Sequence, residues 1–493
     1  MPQIFVRVDA WSLAPDDPLF VWYERAVAAM QAKARNDPTS WSYQAAMHGT
    51  YTTPTQPLWN QCKHGSWWFI SWHRTYLYYF ERIVRAQIVA LGGPESWALP
   101  YWNYDGGSNH NEIPTPFRSP TKADGSPNAL YTPDRGAGIN TGLGLDALVT
   151  SPAAALACPI FVGNTEFGGD VTTTLAQRSS NTGVLEATPH NAVHGAMGGL
   201  MGYVETAAED PIFWLHHCNI DRLWWIWTQS HVNTADARWT SQSFDFFDAG
   251  GAAASLTSAD VEDIVTQLQY TYDHQVFIIR RPPMWPPPGW EHPMHWPPPW
   301  SEVRRKVVPD RGPGPDPTPG YSRQLIGATE QSLRLVGGPE RVSIAIDERV
   351  MRSIQEEPAT EHQGRVFLDA EDIEAEHNPG VVYGVFVNAP ENPSRDELTA
   401  DHVGNLSFFG VERALQPRAD EHGHGLRIAM ELTQVLDRQA ADGSWSDGRQ
   451  IEVTLLPIPL VAPPDRPELV DDVPRLDHED MPVTIGRLSL HFA

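Results

Sequence analysis

A chain of 493 residues is longer than one compact domain ordinarily grows, and points to two or three. Its 41% hydrophobic content and 19 tryptophans supply a large core, while 61 acidic against 35 basic residues leave a formal charge of −26. That balance argues against nucleic acid or an anionic membrane surface as partner, since polyanions need a basic footprint, and suits a small neutral or cationic molecule.

The opening residues, MPQIFVRVDAW, show no basic stretch followed by an apolar one, so no secretory signal is expected. No run of about 18 apolar residues is present, which predicts no membrane span. Three cysteines, Cys62, Cys158 and Cys218, make no disulfide framework. The expectation is a cytoplasmic, soluble protein.

Residues 20–34 and 72–91 carry apolar side chains at helical spacing and predict two helices. Between about 106 and 182 the chain turns rich in Gly, Pro, Thr, Asn and Ser, which predicts long irregular loops. Thr188-Pro189 reads as an N-cap followed by proline at the first helical position, so a helix should begin just before His190. Another is expected over 211–228. The tract PPMWPPPGWEHPMHWPPPW at 282–300 can form neither helix nor central strand and marks a stiff linker. Beyond it come short β-rich runs: RVSIAI, RVFLDA, GVVYGVFVN, NLSFFGVE, LRIAMEL, QIEVTLLPI and TIGRLSLHF. Separated by turn signals, they predict an all-β sandwich or barrel.

Eight of the 19 histidines fall between residues 48 and 217. Six form two spaced sets, His48, His64 and His73, then His190, His194 and His217. His190 and His194 are four apart, so their imidazoles share one helix face, as ligands of one metal must. A lone histidine on an apolar helix is usually a hydrogen-bonded core residue. Six in two triplets would be costly to bury without a metal or other partners. The sets hold no carboxylate at ligand spacing, which disfavours a two-histidine, one-carboxylate iron site; a three-histidine zinc site stays open, and two all-imidazole triplets favour copper.

The segment HNAVHG at 190–195, with DPIFWLHHCNIDRLWWIW at 210–227, resembles the second copper site of tyrosinases, catechol oxidases and molluscan haemocyanins. CKHGSWWFISWHRTYLYYFE at 62–81 and PYWNYD at 100–105 are similar to the first site and the stretch after it. The likeness covers roughly residues 5–280. Tyr270-Thr-Tyr272 resembles the tyrosine motif that closes the catalytic domain in this family, and Arg7 matches the arginine packed against it.

The resemblance implies two coppers and O2 as co-substrate, with His48, His64 and His73 on the first copper and His190, His194 and His217 on the second. The family pattern takes the last histidine of the pair, hence His217; its neighbour His216 points about 100° away on a helix. The implied architecture is a mainly α catalytic domain over 1–280, whose four-helix bundle holds the binuclear site. A Pro/Trp-rich linker over 281–334 and an all-β sandwich over 335–493 would follow, the latter resembling more loosely the lid domains of plant polyphenol oxidases. Tyr383, Phe408 or Phe409 would be the aromatic able to plug the site, against a plainer role in the sandwich core.

Cys62 and His64, two apart, face one side of an extended chain and suit a covalent thioether, as in fungal members with the same C-x-H spacing. Glu186, four before His190, matches the family's water-holding glutamate, and Asn191 its partner; together they would polarise a water toward general-base strength. Gly195 leaves the substrate's path open. Asp221 would either orient a ligand imidazole through its second nitrogen or pair with an arginine. Glu-His422-Gly-His424 reads as an exposed loop, with metal binding as the sharper alternative.

The function implied is ortho-hydroxylation of monophenols and oxidation of o-diphenols to o-quinones, that of a tyrosinase or polyphenol oxidase. The alternatives are a catechol or o-aminophenol oxidase without monophenol activity and, more remotely, a haemocyanin-like oxygen carrier. The partners expected are small phenolic substrates, and linker tryptophans would suit contact between copies in a homo-oligomer.

Overall fold

The computed structural model describes residues 3–107, 109–163, 165–172, 182–274, 323–349, 364–391, 395–415, 425–445, 449–470 and 479–493. The Pro/Trp tract and the His422/His424 pair lie outside these residues. No helix among them is long and apolar enough to cross a membrane.

Helix α1 (Pro18–Gln31) starts where Asp17 accepts the Leu19 N–H, with proline at the first helical position. It packs along α3 (Phe69–Ala90), the long helix expected over 72–91. Between them stands α2 (Trp41–His48), capped by the Ser40 side chain on Tyr43 N–H. Among its described residues the loop-rich stretch forms short helical turns, including α4 (Ala147–Thr150) and α5 (Ala153–Leu156). Next, Thr188 is extended (φ −146, ψ 123) inside the short segment Glu186–Asn191, and helix α6 (Ala192–Met197) follows. Helix α7 (Ile212–Trp227) is apolar nearly all round, and buried for most of its length.

Strands β1 (Phe5–Arg7) and β4 (Tyr270–Tyr272) pair in parallel, so Arg7 lies opposite Tyr272 and ties the two ends of the helical part together. Arg7 Nη1 donates to Tyr272 Oη at 3.0 Å, and its guanidinium sits 3.8 Å from the Tyr270 ring centre. A hairpin of β2 (Ser243–Phe247) and β3 (Ala253–Thr257) flanks α3.

The C-terminal part holds β5 (Gln324–Ala328), β6 (Leu333–Leu335), β7 (Glu340–Ala345), β8 (Val366–Glu374), β9 (Val382–Val387), β10 (His402–Ser407), β11 (Leu426–Glu431), β12 (Gln450–Ile458) and β13 (Val483–Phe492). One sheet runs β10-β9-β12-β7, the other β11-β8-β13-β5, with β6 also on β13. One expectation needs correction. A linker running to residue 334 is too long, because β5 and β6 already pair with β13.

Strand β9 explains how the two parts meet. All six of its residues are buried, because alternate side chains enter different cores. Tyr383, Val385 and Val387 join the apolar core drawn from the C-terminal strands, while Val382 and Phe386 join that of the helices. Strand β10 does the same: Leu406 faces the sheets, whereas Asn405 Nδ2 and Ser407 Oγ donate to the carbonyls of Leu148 and Asn191.

Candidate metal centre

His48 ends α2, and its Nδ1–H donates to the Val204 carbonyl at 2.8 Å. The next residue is Gly49, where a Cβ would come within 2.2 Å of that same oxygen, so only glycine lets the two segments approach. His73 Nδ1–H donates to the Phe69 carbonyl one turn back at 2.7 Å, and His194 Nδ1–H to the Met201 carbonyl at 2.7 Å. His190 Nδ1 is 2.8 Å from Asn191 Oδ1. A carbonyl oxygen only accepts, so these contacts place the proton on Nδ1 and leave each Nε2 with a free lone pair.

Those lone pairs converge. His217 Nε2 lies 3.3 Å from His190 Nε2 and 3.4 Å from His194 Nε2. Three nitrogens bonded to one ion at about 2.0 Å would stand roughly 3.5 Å apart, so the spacing fits a shared metal. In the first set the His48 ring is 5.0 Å from His64 and 5.6 Å from His73, with His64 and His73 5.1 Å apart. The sets adjoin: His73 and His217 stack at 4.5 Å and 15°. Nε2 of His48 and His73 and both nitrogens of His64 have no hydrogen-bond partner among the described residues.

Burial holds all six imidazoles in the neutral form that binds metal. It pushes His73 and His194 down to about 3, and His48, His64, His190 and His217 well below 6.5. Buried lone pairs without partners, all from imidazole, make a donor set that suits copper. His216, which helical geometry sets about 100° from His217, also turns into the second set.

Cys62 Sγ lies within 4.8 Å of ligand nitrogens of both His48 and His64. Glu186 is buried; Gly65 N–H donates to its Oε1 at 2.7 Å, and Oε2 has no partner among the described residues. Burial raises this carboxyl to about 8. Among the described residues the hydrogen bonds of Asp221 reach no imidazole. Its carboxylate instead meets Arg7, Arg74, Tyr270 and Tyr272, because two buried guanidiniums on that side of α7 demand a counter-charge. Backbone carbonyls and Asn191 orient the ligand rings in its place.

The space above the second set is filled. A Cβ on Gly195 would meet Ser407 Oγ at 2.8 Å and Val382 Cγ2 at 3.0 Å, both from the C-terminal part. Phe409 reaches further in. Its ring lies 5.4 Å from His64 and 5.8 Å from His190, edge-on to both, and flat against His194. Tyr383 and Phe408 pack instead in the apolar core drawn from the C-terminal strands.

Residues 38–152 and 158–230 match the family model described as the common central domain of tyrosinase, and 322–493 match a domain of unknown function. A tyrosinase of Hahella sp. (strain CCB-MM4) is 29% identical over 511 residues, covering 96% of this chain and 97% of the relative. Aureusidin synthase of Antirrhinum majus is 26% identical over 92% of this chain and 79% of its own length. Among solved structures, latent apple tyrosinase superposes with a TM-score of 0.60 at 22% identity over 100% of this chain and 98% of the other, which speaks for the shared fold. The two matched regions carry all six histidines, and a tyrosinase aligns nearly end to end: the chain is similar to the tyrosinase and polyphenol oxidase family, whose members carry a binuclear type-3 copper site.

Proposed function

We propose that this copper oxidase is a tyrosinase: it hydroxylates monophenols at the ortho position and oxidises o-diphenols to o-quinones. His48, His64 and His73 would hold one copper and His190, His194 and His217 the other, with His48, His73, His194 and His217 carried by α2, α3, α6 and α7, read as a bundle, and His64 on irregular chain, while the two C-terminal sheets form a sandwich that acts as a lid. The copper pair, when bound, carries the electrons between phenol and O2. The observation that carries the reading is the convergence of the His190, His194 and His217 Nε2 atoms beside the unpartnered ring nitrogens of His48, His64 and His73.

The chain's own groups supply position and proton handling. Carbonyls of Val204, Phe69 and Met201 fix the tautomer and tilt of His48, His73 and His194, so the donor atoms need little rearrangement to bind metal. Glu186 is the group that favours monophenol chemistry. A free phenol has a pKa of about 10 and must lose its proton before hydroxylation. A buried carboxyl with one oxygen anchored on Gly65 and the other unpaired can hold a water and take a proton from it. Asn191 steadies the His190 ring beside it.

Oxygen uptake with a monophenol and its o-diphenol tests the assignment. Glu186→Gln should cut monophenol turnover by about 10²-fold or more, the scale of a lost general base, with far less effect on the diphenol. Equal losses on both substrates would show Glu186 to be structural and leave a catechol oxidase as the better reading.

A further inference from the structure

His216 is the one imidazole of the cluster that the ligand assignment leaves idle, and its surroundings do not suit an idle residue. Its side chain is fully buried, and neither ring nitrogen has a hydrogen-bond partner among the described residues. A neutral imidazole carries one donor and one acceptor, and leaving such a group unpaired in the interior costs roughly 1–3 kcal/mol. Buried groups of this kind call for a partner that protein atoms do not supply.

The geometry narrows what that partner is. The His216 ring stacks 5.4 Å from His190 and stands edge-on 4.8 Å from His194. One of its nitrogens lies within 4.8 Å of ligand nitrogens of His190, His194 and His217 alike. The helix should have separated His216 from His217 by about 100°. Both rings nonetheless reach the same centre, because His190, on the segment Glu186–Asn191 packed against α7, and His194, on α6, approach from beside that helix. Copper(II) favours four-coordinate tetragonal surroundings, which three imidazoles alone do not complete.

We propose that His216 is a fourth imidazole ligand of the second metal site, engaged when copper(II) occupies that site alone, so that the second site loads as a four-nitrogen cup before the first is filled. The proposal rests on the copper assignment above.

The test is titration of copper-free protein with copper(II), using wild type, His216→Phe, the shape-conserving His216→Gln and, as a reference for loss of the site, His217→Ala. Wild type must first take two coppers per chain; one or none would sink the assignment itself, and the His216 proposal with it. At one equivalent, the nitrogen couplings in the electron paramagnetic resonance spectrum should report four imidazoles in wild type and three in the His216 variants. Chelator competition should show weakening of the first-filled site by tenfold or more in both variants. A drop in affinity alone is not decisive, because residues that merely support ligands cost 10–100-fold in metal affinity. Three coupled nitrogens in wild type, or an unchanged count in His216→Gln, overturns the proposal. If His216→Phe does not fold, the glutamine variant carries the same comparison.

Discussion

The ring of Phe409 lies parallel to the ring of His194, 4.1 Å away with 12° between their planes. That is where an aromatic substrate would stack on the second metal site, and the residue holding the place comes from the C-terminal part. The cavity left beside it, lined by residues including Asn191, Ser407 and Phe409, is about 40 Å³. A cavity of about 150 Å³ is what accepts a benzene ring. Phe409 thus fills the space against the second histidine set.

Shortening the plug should therefore open the site without removing the lid. Phe409→Ala is expected to raise kcat/KM for a small o-diphenol by roughly tenfold, since the added space is that of one aromatic ring. The same change removes a buried phenyl and should cost about 3–5 kcal/mol of stability, read as a lower Tm. Steady-state oxygen uptake at matched copper content decides it; a variant no faster than wild type would mean that Phe409 is only packing.

The C-terminal part is also held by charge. Arg413, on the short helix Val411–Ala414, pairs with buried Glu205 at 2.5 Å and donates to Cys62 Sγ at 3.3 Å. Removing one member of a buried pair leaves the other uncompensated and typically costs 3–5 kcal/mol. Arg413→Ala should thus loosen the C-terminal part, raise activity measured without any activating treatment, and split the unfolding transition in two. The double variant Glu205→Gln with Arg413→Gln should restore much of the lost attachment by replacing the charge pair with a neutral one. A single unsplit transition with unchanged activity in Arg413→Ala would show that apolar contacts at β9 suffice.

How much of this was legible in the sequence depended on whether the signal was local. Seven β-rich runs became strands β7 to β13 nearly in register, because alternation and turn residues are short-range features. The parity of β10 was readable too. Asn405 and Ser407 share a face with Phe409, whereas Leu406 shares one with Phe408, so period-two alternation already separates the plug from the core residue. What could not be read is what faces that strand. Helix α2 was missed because WSYQAAMH is too short for a periodic pattern, and so the element carrying His48 went unseen. Asp221 was ambiguous for a similar reason: its partners Arg7 and Arg74 lie 214 and 147 residues away.

Cys62 offers a prediction that needs no activity assay. With its sulfur within 4.8 Å of a His64 nitrogen, protein purified with copper is expected to weigh two hydrogens less than its sequence requires, through a sulfur–imidazole bond. Intact mass of wild type and of Cys62→Ser checks it: only wild type should show the deficit. An uncrosslinked mass for fully copper-loaded protein refutes the link.

The buried ionisable groups set opposing pH limits on the copper-free protein. His73 and His194 have native values near 3 against an unfolded 6.5. Between those values the unfolded chain binds more protons, so stability is complete above about pH 6.5 and falls progressively below it. Glu186 runs the other way, with a native value of about 8 against 4.5. It keeps its proton in the folded state while the unfolded chain has lost it, so its contribution is full below about pH 4.5 and is lost as pH rises toward 8. Denaturant unfolding of metal-free protein should accordingly show a maximum near neutral pH. Glu186→Gln should flatten the alkaline limb and leave the acid limb in place, because glutamine does not titrate. An alkaline limb unchanged in that variant would assign the loss to other groups.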